Sequence, residues 1–286
     1  MKKLVSLCAA GVLIGGALLL GQQIPEPRKQ FGASVTAAYE GWFNNPDGSR
    51  SFLVGYFNRN TQQELDIPVG PDNRIEPGGP DIGQPTHFLP GRQWGMFAVP
   101  VPKNFTAQDK LTWTLFANGQ TTSIPLRLNP DYVISPFSEI AVNNTPPVLR
   151  FDQNGSGIQG PIATLAAAPA RTASVSAPLA LTVWVTDDLK YTSGTGAPLT
   201  ANRPPVALIW SKYRGPGTVT FDKARPAVEK LPDGSEPFSG KATTNVKFGM
   251  PGDYVLHVTV NDYSGEGGGG FQCCWTNGLV KVSVKE

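Results

Sequence analysis

Every second residue is apolar in three segments of the second half of the chain, and this period of two constrains the fold more than any other feature. The segments span residues 180–186, 254–260 and 280–285. Successive side chains of a β-strand point to opposite faces of a sheet, so each segment places one row of side chains in a core and the other row outside. Lys281 and Lys285 fall on the outer row, which is typical of a strand at a sheet edge.

The rest of the chain supports the same fold class. Its 32 glycines and 27 prolines would interrupt helices almost everywhere, whereas short strands joined by turns tolerate them. Further strands are predicted at residues 206–211 and 218–221, and in the first half at 51–58, 93–101, 111–117 and 120–125. The turn sequences at 45–48 and 118–119 indicate hairpins. We therefore expect an all-β protein with two β-sandwich domains.

The N-terminal segment and a pair of prolines divide the chain. Lys2 and Lys3 precede an apolar stretch, so residues 1–23 are predicted to be a signal peptide or an uncleaved anchor. The expected parts that follow are a linker at 24–34, a β-sandwich-like domain at 35–143 with a long Pro/Gly loop at 68–92, and a second sandwich at 144–286. The protein is expected to be exported to the periplasm, the medium or the cell surface.

The charge balance excludes two classes of partner. Removal of Lys2 and Lys3 with the signal leaves 24 − 2 = 22 basic residues against 22 acidic ones. Nucleic acids and anionic membranes bind basic surfaces, so neither is an expected partner of the mature chain. Membrane contact is expected only through an uncleaved N-terminal segment.

Several motifs of the second half resemble a known family. They are Leu208-Ile209-Trp210-Ser211-Lys212, the Gly-Pro-Gly turn and strand at 215–221, the strand at 243–248, and the segment at 251–262 that ends in Asn261-Asp262. Together they resemble polycystic-kidney-disease (PKD)-type, immunoglobulin-like extracellular domains over about residues 145–286. The resemblance implies a β-sandwich that acts as a spacer, an adhesion module or a carbohydrate-associated module without catalysis. Its implied partners are proteins or carbohydrates at the cell surface or envelope.

Catalytic residues are scarce. His87 and His257 are the only histidines, and no Gly-x-Ser-x-Gly, His-Glu-x-x-His or phosphate-binding glycine motif is present. His257 alternates with Leu256 and Val258, so we expect it on the outer surface of a sheet. The sequence favours a non-catalytic interaction or structural protein that needs no cofactor.

The segment 68–92 is the most distinctive part of the first half, because it is long and aperiodic. Ligand-binding candidates in and beside it are Asp72, Asn73, Arg74, His87, Arg92 and Trp94. The alternative is a loop that covers a sheet edge and uses these groups to bind its own backbone.

A rival function is hydrolysis by Asp72, Asp81 or His87. Trp42, Trp94 and Trp113 are candidates for a carbohydrate-stacking platform, although tryptophans more often fill a core.

Two further features concern metal and redox chemistry. Asp187, Asp188, Asp262 and Glu266 follow predicted strands, and carboxylates that converge at one end of a sandwich suit calcium; solvated turn acids are the alternative.

Cys273 and Cys274 are the only cysteines after the signal. They allow a vicinal disulfide, independent thiols with one in the core, or bonds to another chain or a soft metal. A bond between neighbours is unusual, because adjacent Cα atoms lie closer than most disulfides require.

Overall fold

The structure is a computed structural model that describes residues 26–139, 143–190, 204–232, 237–262 and 273–286. The predicted signal, residues 1–23, lies outside these ranges. Within them the chain forms seventeen β-strands and one short 3-10 turn. No helix of this described part has the length and apolar character needed to cross a membrane. The prediction of an all-β fold is confirmed.

Eight strands and the 3-10 turn belong to the N-terminal half, and nine strands to the C-terminal half. The first set is β1 (Val35–Asn44), β2 (Arg50–Asn58), β3 (Leu65–Asp66), β4 (Asn73–Glu76), β5 (His87–Phe88), β6 (Gly91–Pro100), β7 (Leu111–Ala117), β8 (Gln120–Leu126) and the 3-10 turn (Pro130–Tyr132). The second set is β9 (Val148–Arg150), β10 (Ala170–Ser174), β11 (Leu179–Asp187), β12 (Val206–Arg214), β13 (Val219–Phe221), β14 (Glu229–Lys230), β15 (Phe238–Phe248), β16 (Gly252–Asp262) and β17 (Trp275–Lys285).

The N-terminal half is a sandwich of two three-stranded sheets, β1-β2-β6 and β4-β7-β8, with the short pair β3-β5 beside them. Phe52 and Val54 from the first sheet share one buried cluster with Trp113 and Leu115 from the second. Residues two apart on one strand face the same side, which is why this core follows the alternation of the sequence. The predicted hairpin between β7 and β8 is confirmed, and its Asn118 and Gly119 have φ of 49° and 77°, as a tight two-residue turn requires.

The C-terminal half is a second sandwich. A four-stranded sheet, β10-β17-β16-β12, faces a five-stranded sheet that contains β9, β11, β13, β14 and β15. Leu181 and Val183 of β11 share a buried cluster with Val258 of β16, so the predicted apolar faces are confirmed. Lys281 lies outward as expected, but the prediction of an edge strand is wrong. The strand β17 lies between β16 and β10, and it pairs with β10 in parallel.

The outer face of the four-stranded sheet is covered by the N-terminal half. Tyr213, Val255 and Leu279 belong to the same buried cluster as the N-terminal core. His257 lies on this face and packs against the Tyr213 ring, with the two ring centroids 5.7 Å apart. Its expected surface position is wrong, because the side chain is only 2% exposed. Alternation predicted the correct face of the sheet, but it carries no information on what packs against that face.

Trp275 and Gly95 make a second close contact between the halves. Trp275 is buried in a small cluster with Phe43, Leu53 and Ile134 of the N-terminal half. Gly95 has φ of 48°, and a side chain there would overlap the Trp275 ring. Asn277 donates a hydrogen bond from Nδ2 to the Gly95 carbonyl at 2.6 Å. Among the described residues, no sheet contains strands from both halves. Side-chain contacts and a backbone hydrogen bond from Thr86 to the Tyr213 carbonyl, at 3.1 Å, join them; the division into two domains at residue 144 stays a prediction.

The segment 68–92 is more ordered than its sequence suggests. Residues Asn73–Glu76 form β4 and pair with β7 in the second N-terminal sheet. Asn73 is buried and donates from Nδ2 to the carbonyls of Ile67 and Pro85, at 3.0 and 2.8 Å. It also accepts a hydrogen bond from the Trp113 indole at 3.0 Å. The amide side chain replaces the backbone pairing that an aperiodic segment lacks, so the expectation of a 25-residue loop is wrong in this part.

Candidate functional site

A cleft of about 880 Å³ lies where the two halves meet. One wall comes from the C-terminal half, with β12 at Ile209–Lys212 and the chain from Pro216 through β13. The opposite end comes from the N-terminal half, where Glu64, Asp66 and His87 line the cleft. Both β12 and β13 are outer strands of their sheets, so the cleft opens at the side of the C-terminal sandwich where its two sheets part.

Four ionisable side chains meet at the N-terminal end of the cleft. The Asp66 carboxylate contacts His87 Nδ1 at 2.9 Å and Lys212 Nζ at 2.9 and 3.2 Å. His87 Nε2 lies 3.2 Å from Glu64 Oε2. The side chains of His87 and Lys212 are each 7% exposed, whereas those of Glu64 and Asp66 are 57% and 54% exposed. The cluster therefore presents its carboxylates to the cleft, and the His87 ring and the Lys212 ammonium lie behind them.

The pairing of β3 with β5 positions three members of this cluster. Asp66 lies directly opposite His87 in the register, and Leu65 lies opposite the buried Phe88. Leu65 is packed against the core while its neighbours Glu64 and Asp66 point the other way, as alternation requires. Lys212 comes from the end of β12, where a register shift before Arg214 interrupts the pairing with β16.

The electrostatics of the cluster are set by Asp66. Partial burial raises the pKa of Asp66, but the hydrogen bonds from His87 and Lys212 outweigh that effect, and the pKa is lowered overall. Asp66 is therefore ionised at neutral pH and compensates the charge of the buried Lys212. A buried ammonium without such a partner would cost several kcal/mol, which explains why the two groups occur together.

Apolar groups form the remaining walls. Trp210 of β12 and Phe221 of β13 stack with ring centroids 6.3 Å apart and planes tilted by 25°. Met250 lies at the rim and is largely exposed. A mostly apolar cleft with a few converging polar groups at one end is the usual form of a ligand site.

Contacts from the next residues of β12 hold the cleft in shape. Arg214 forms two hydrogen bonds of 2.9 Å with the Asp81 carboxylate and a third with the Gln84 carbonyl at 2.9 Å. Tyr213 Oη donates to the Gly83 carbonyl at 2.5 Å. The Arg214 hydrogen bonds are the main reason that the pKa of Asp81 is lowered. These hydrogen bonds bind residues 81–84 to the C-terminal half beside the cleft.

The structure does not gather the six predicted ligand-binding residues into one site. His87 lies in the cleft, whereas Asn73 of β4 has its side chain buried in the N-terminal half. Arg74 binds Glu76 at 2.8 Å beside a separate hollow of about 1180 Å³ along residues 70–80. Asp72 is exposed on that side and accepts a backbone hydrogen bond from Phe116 at 2.8 Å. Successive side chains of β4 point to opposite faces of the sheet, so Asn73 and Arg74 point in opposite directions. Proximity in sequence therefore does not bring these groups together.

Arg92 and Trp94 form a different pair on β6. Arg92 binds the buried Glu40 carboxylate at 2.5 Å, and its guanidinium lies 3.9 Å above the Trp94 ring. Burial raises the pKa of Glu40 more than Arg92 lowers it. Trp94 is 46% exposed, whereas Trp113 is fully buried and Trp42 is half-buried with its indole bonded to the Asn129 carbonyl at 2.8 Å. The expected platform of three tryptophans is wrong, because only Trp94 presents a large surface.

Three of the four predicted calcium ligands, Asp187, Asp188 and Asp262, affect one another electrostatically. Burial, and then the nearby charges of Asp262 and Asp188, raise the pKa of Asp187 to about 7. Asp262 accepts a hydrogen bond from Asn144 at 2.6 Å, while Asp188 bonds Thr145 and Lys190. Glu266 lies outside the described residues. Among the residues that are described, no three His, Cys, Asp or Glu side chains group to hold a metal, and the calcium site stays a prediction.

Cys273 and Cys274 are bonded to each other in the structure. The pair is joined by a cis peptide, with Cα atoms 3.1 Å apart. Both residues are buried at the start of β17, and Cys274 Sγ lies 3.6 Å from the Asn144 carbonyl. The two sulfurs are therefore shielded from solvent, beside Trp275 at the contact between the halves.

Glu64, Asp66 and Lys212 are the members of the cleft that the sequence analysis did not select. A signal for the carboxylates exists in Glu64-Leu65-Asp66, because acid residues two apart on a strand share one face. A second signal is Lys212, which continues the buried row of Leu208 and Trp210 and therefore needs an acidic partner. Nothing local connects residue 64 with residue 212.

The chain was compared with family models, curated proteins and solved structures. No family model and no curated protein matches it. Among solved structures, domains 4 and 5 of the S-layer protein SbsC align with 11% identity and a TM-score of 0.23, over 89% of this chain and 98% of that chain.

Two further structures align at a similar level. A longer fragment of SbsC aligns with 10% identity and a TM-score of 0.20, over 91% of this chain and 28% of that one. A protein of unknown function from Porphyromonas gingivalis W83 aligns with 9% identity and a TM-score of 0.23, over 88% and 100%. Scores at this level carry no argument, so the functional conclusions rest on the geometry of the cleft.

Proposed function

We propose that this protein is an exported, non-catalytic binding protein, and that the cleft between its halves holds a partner from the cell surface or envelope. The observation that carries the proposal is the cluster of Glu64, Asp66, His87 and Lys212 at the end of an apolar-walled cleft. A purely structural ion pair would be served by Asp66 and Lys212 alone. Glu64 adds a second, half-exposed carboxylate, of which only Oε2 contacts a described side chain, that of His87.

The contacts of His87 favour binding over hydrolysis. A general base needs a ring nitrogen that can take a proton from water or a hydroxyl group. In His87 both ring nitrogens contact carboxylates, at 2.9 Å for Nδ1 and 3.2 Å for Nε2. The redox alternative is disfavoured by the burial of Cys273 and Cys274, because thiol exchange needs an accessible sulfur.

A binding screen with matched variants tests the proposal. The mature chain is applied to glycan and peptide arrays, and each hit is measured again with Glu64→Gln and Glu76→Gln. Both glutamates are exposed and contact one basic group, at 3.2 and 2.8 Å, but only Glu64 lines the cleft. Loss of binding in Glu64→Gln alone supports the cleft. Flat arrays with folded protein, or mass-spectrometric cleavage of a bound compound, would overturn the proposal.

The exposure of Trp94 favours carbohydrate binding on β6 as a second candidate function. An exposed indole provides a stacking surface for a sugar ring, and the Arg92 guanidinium holds this one in place. Glycan-array signals that vanish in Trp94→Ala but persist in Phe116→Ala support it, since Phe116 is also an exposed aromatic residue. Equal signals in both variants would remove this candidate.

Export is part of the proposal and has its own test. The basic start and apolar stretch within residues 1–23 support it. Expression of the full chain, followed by fractionation and intact-mass measurement, should yield an exported protein, and deletion of residues 1–23 should retain it in the cytoplasm. Cytoplasmic full-length protein would contradict export without affecting the cleft.

A further inference from the structure

We propose that the cleft receives an extended peptide segment, which adds as a strand to the free edge of β13 and places a basic side chain against Glu64 and Asp66. This inference rests on the proposed function of the cleft and specifies the chemistry of its partner. Three features of the described residues support it: an unpaired strand edge, an acidic end and an apolar wall between them.

The edge of β13 carries unpaired backbone groups. Gly249 donates to the Thr218 carbonyl, and Asp222 donates to the Asn245 carbonyl, both at 2.9 Å. Residues 218, 220 and 222 therefore bond to β15, and alternation turns the N–H and C=O groups of Val219 and Phe221 the other way. Within the described part of the chain, neither Val219 nor Phe221 makes a hydrogen bond on that side.

Unpaired edges are normally covered, because they bind other strands. Proteins protect them with charges, prolines, bulges or covering loops. The neighbouring edge of β12 is covered in part, since Trp210 donates to the Ala224 carbonyl at 2.8 Å and Thr86 donates to the Tyr213 carbonyl at 3.1 Å. No described residue covers the backbone of Val219 and Phe221 in this way, and both side chains line the cleft together with the ionic cluster. Main-chain pairing at a free edge is a recurrent mode of peptide recognition.

Charge selects the side chain at the acidic end. The groups of the cluster that solvent reaches are the Glu64 and Asp66 carboxylates, each more than half exposed. Glu64 Oε2 contacts His87, and the other Glu64 oxygen accepts no hydrogen bond within the described ranges. A lysine or arginine of the partner complements this arrangement, and arginine can bind a carboxylate through two parallel hydrogen bonds.

The wall between the edge and the cluster favours apolar neighbours on the partner. Phe221, stacked on Trp210, and the exposed Met250 line this stretch. A strand added to β13 directs alternate side chains to one face. The partner is thus a segment in which a basic residue and an apolar residue alternate with small polar ones.

The probe is the synthetic peptide acetyl-Thr-Arg-Thr-Val-Thr-amide with a fluorescent label, in which the arginine and the valine share one face. Its binding to the mature chain is measured by fluorescence polarisation. Substitution of its arginine by glutamate should abolish binding. Glu64→Gln should weaken it several-fold and reduce its salt dependence, and Glu76→Gln should leave it unchanged. Methylation of alternate peptide nitrogens should weaken binding in one register only, because only every second N–H faces β13.

Proline at the edge tests the strand pairing itself. Val219→Pro removes an N–H that makes no hydrogen bond to any described residue, and proline is tolerated at such positions of an edge strand. It should lower peptide affinity about fivefold to tenfold, as loss of one backbone hydrogen bond predicts. The loss should exceed that of Val219→Ala, which keeps the N–H and shortens only the side chain. Hydrogen exchange at residues 219 and 221 should slow when the peptide binds. If Val219→Pro does not fold, methylation of the peptide gives the same readout without altering the protein.

The outcomes separate this inference from the proposed function. Peptide binding that ignores Val219→Pro and N-methylation overturns strand addition. If the cleft binds a glycan and Glu64→Gln abolishes that binding, the proposed function is retained and the peptide is refuted as the partner. A concentration-dependent dimer that Val219→Pro dissociates identifies a second copy of the chain as the occupant, and also refutes it. Absence of any Glu64-dependent ligand overturns both proposals.

Discussion

We predict that acid lowers the free energy of unfolding of this protein through His257, a residue that is almost fully buried. Burial lowers the pKa of His257 to about 4 from 6.5, and a hydrogen bond with Asn277 counteracts only part of that shift. The ring is therefore neutral in the fold at neutral pH, and it packs against Tyr213 at the contact between the halves. In the unfolded chain the ring is exposed and takes up a proton near pH 6.5.

The sign and size of the effect follow from this difference. Between pH 6.5 and pH 4 the unfolded chain binds more protons at this position than the folded one, so stability falls as pH falls. The shift from 6.5 to about 4 corresponds to about 3 kcal/mol, fully lost only below pH 4. Carboxyl groups titrate in the same range, and Asp187, with its pKa raised to about 7, contributes with the opposite sign. Only a comparison with a variant isolates the histidine.

The variant is His257→Phe, which keeps an aromatic ring against Tyr213 and removes the titrating group. Urea unfolding of both proteins at pH 7 and at pH 4 gives the comparison. The difference in free energy of unfolding, variant minus parent, should increase by about 3 kcal/mol from pH 7 to pH 4. Thr259→Val alters a neighbouring side chain of β16 and should shift the free energy equally at both pH values. Parallel pH curves for His257→Phe and the parent would refute the assignment of a buried, neutral His257.

Three further predictions concern contacts that shape the halves and their junction. Asn73→Ala should lower the free energy of unfolding by about 2–4 kcal/mol, because it leaves the Trp113 indole and two buried carbonyls without partners; equal stability in thermal unfolding would contradict this. Arg214→Ala and Asp81→Ala should show a coupling of about 1 kcal/mol in a double-mutant cycle, since Asp81 is half exposed; additive effects would argue against a direct pair. Gly95→Ala should destabilise by about 1–3 kcal/mol, through positive φ and overlap with Trp275, and Trp275→Ala in the same chain should relieve the overlap.

The strands were predictable from the sequence because their signal is local. Alternation at 180–186 and the Asn118-Gly119 turn each involve neighbouring residues, and both predictions are confirmed. The same alternation assigned His257 and Lys281 to the correct face of a sheet. Alternation could not show that the N-terminal half covers His257. Nor could it show that β10 pairs with the strand that carries Lys281.

The cleft could not be predicted, for the opposite reason. Its cluster joins residues 64 and 66, residue 87 and residue 212 through the packing of two sandwiches. Sequence reasoning selected His87 by its rarity and then grouped it with neighbours in the chain. The strand β4 instead sends Asn73 into the core, where its amide satisfies backbone carbonyls. The segment around Asn73 is ordered by hydrogen bonds of one buried side chain. Its sequence therefore lacks the alternation from which a strand is predicted.

The parallel pairing of β10 with β17 has a mechanical consequence. The five paired positions run from Ala170 opposite Lys281 to Ser174 opposite Lys285, and both strands run in the same direction. Tension that pulls the start of β10 against the end of the chain acts along the strands, so their hydrogen bonds are loaded together rather than opened one after another. A protein anchored at one end and held at the other would resist stretching at this pair of strands before its sandwich opened.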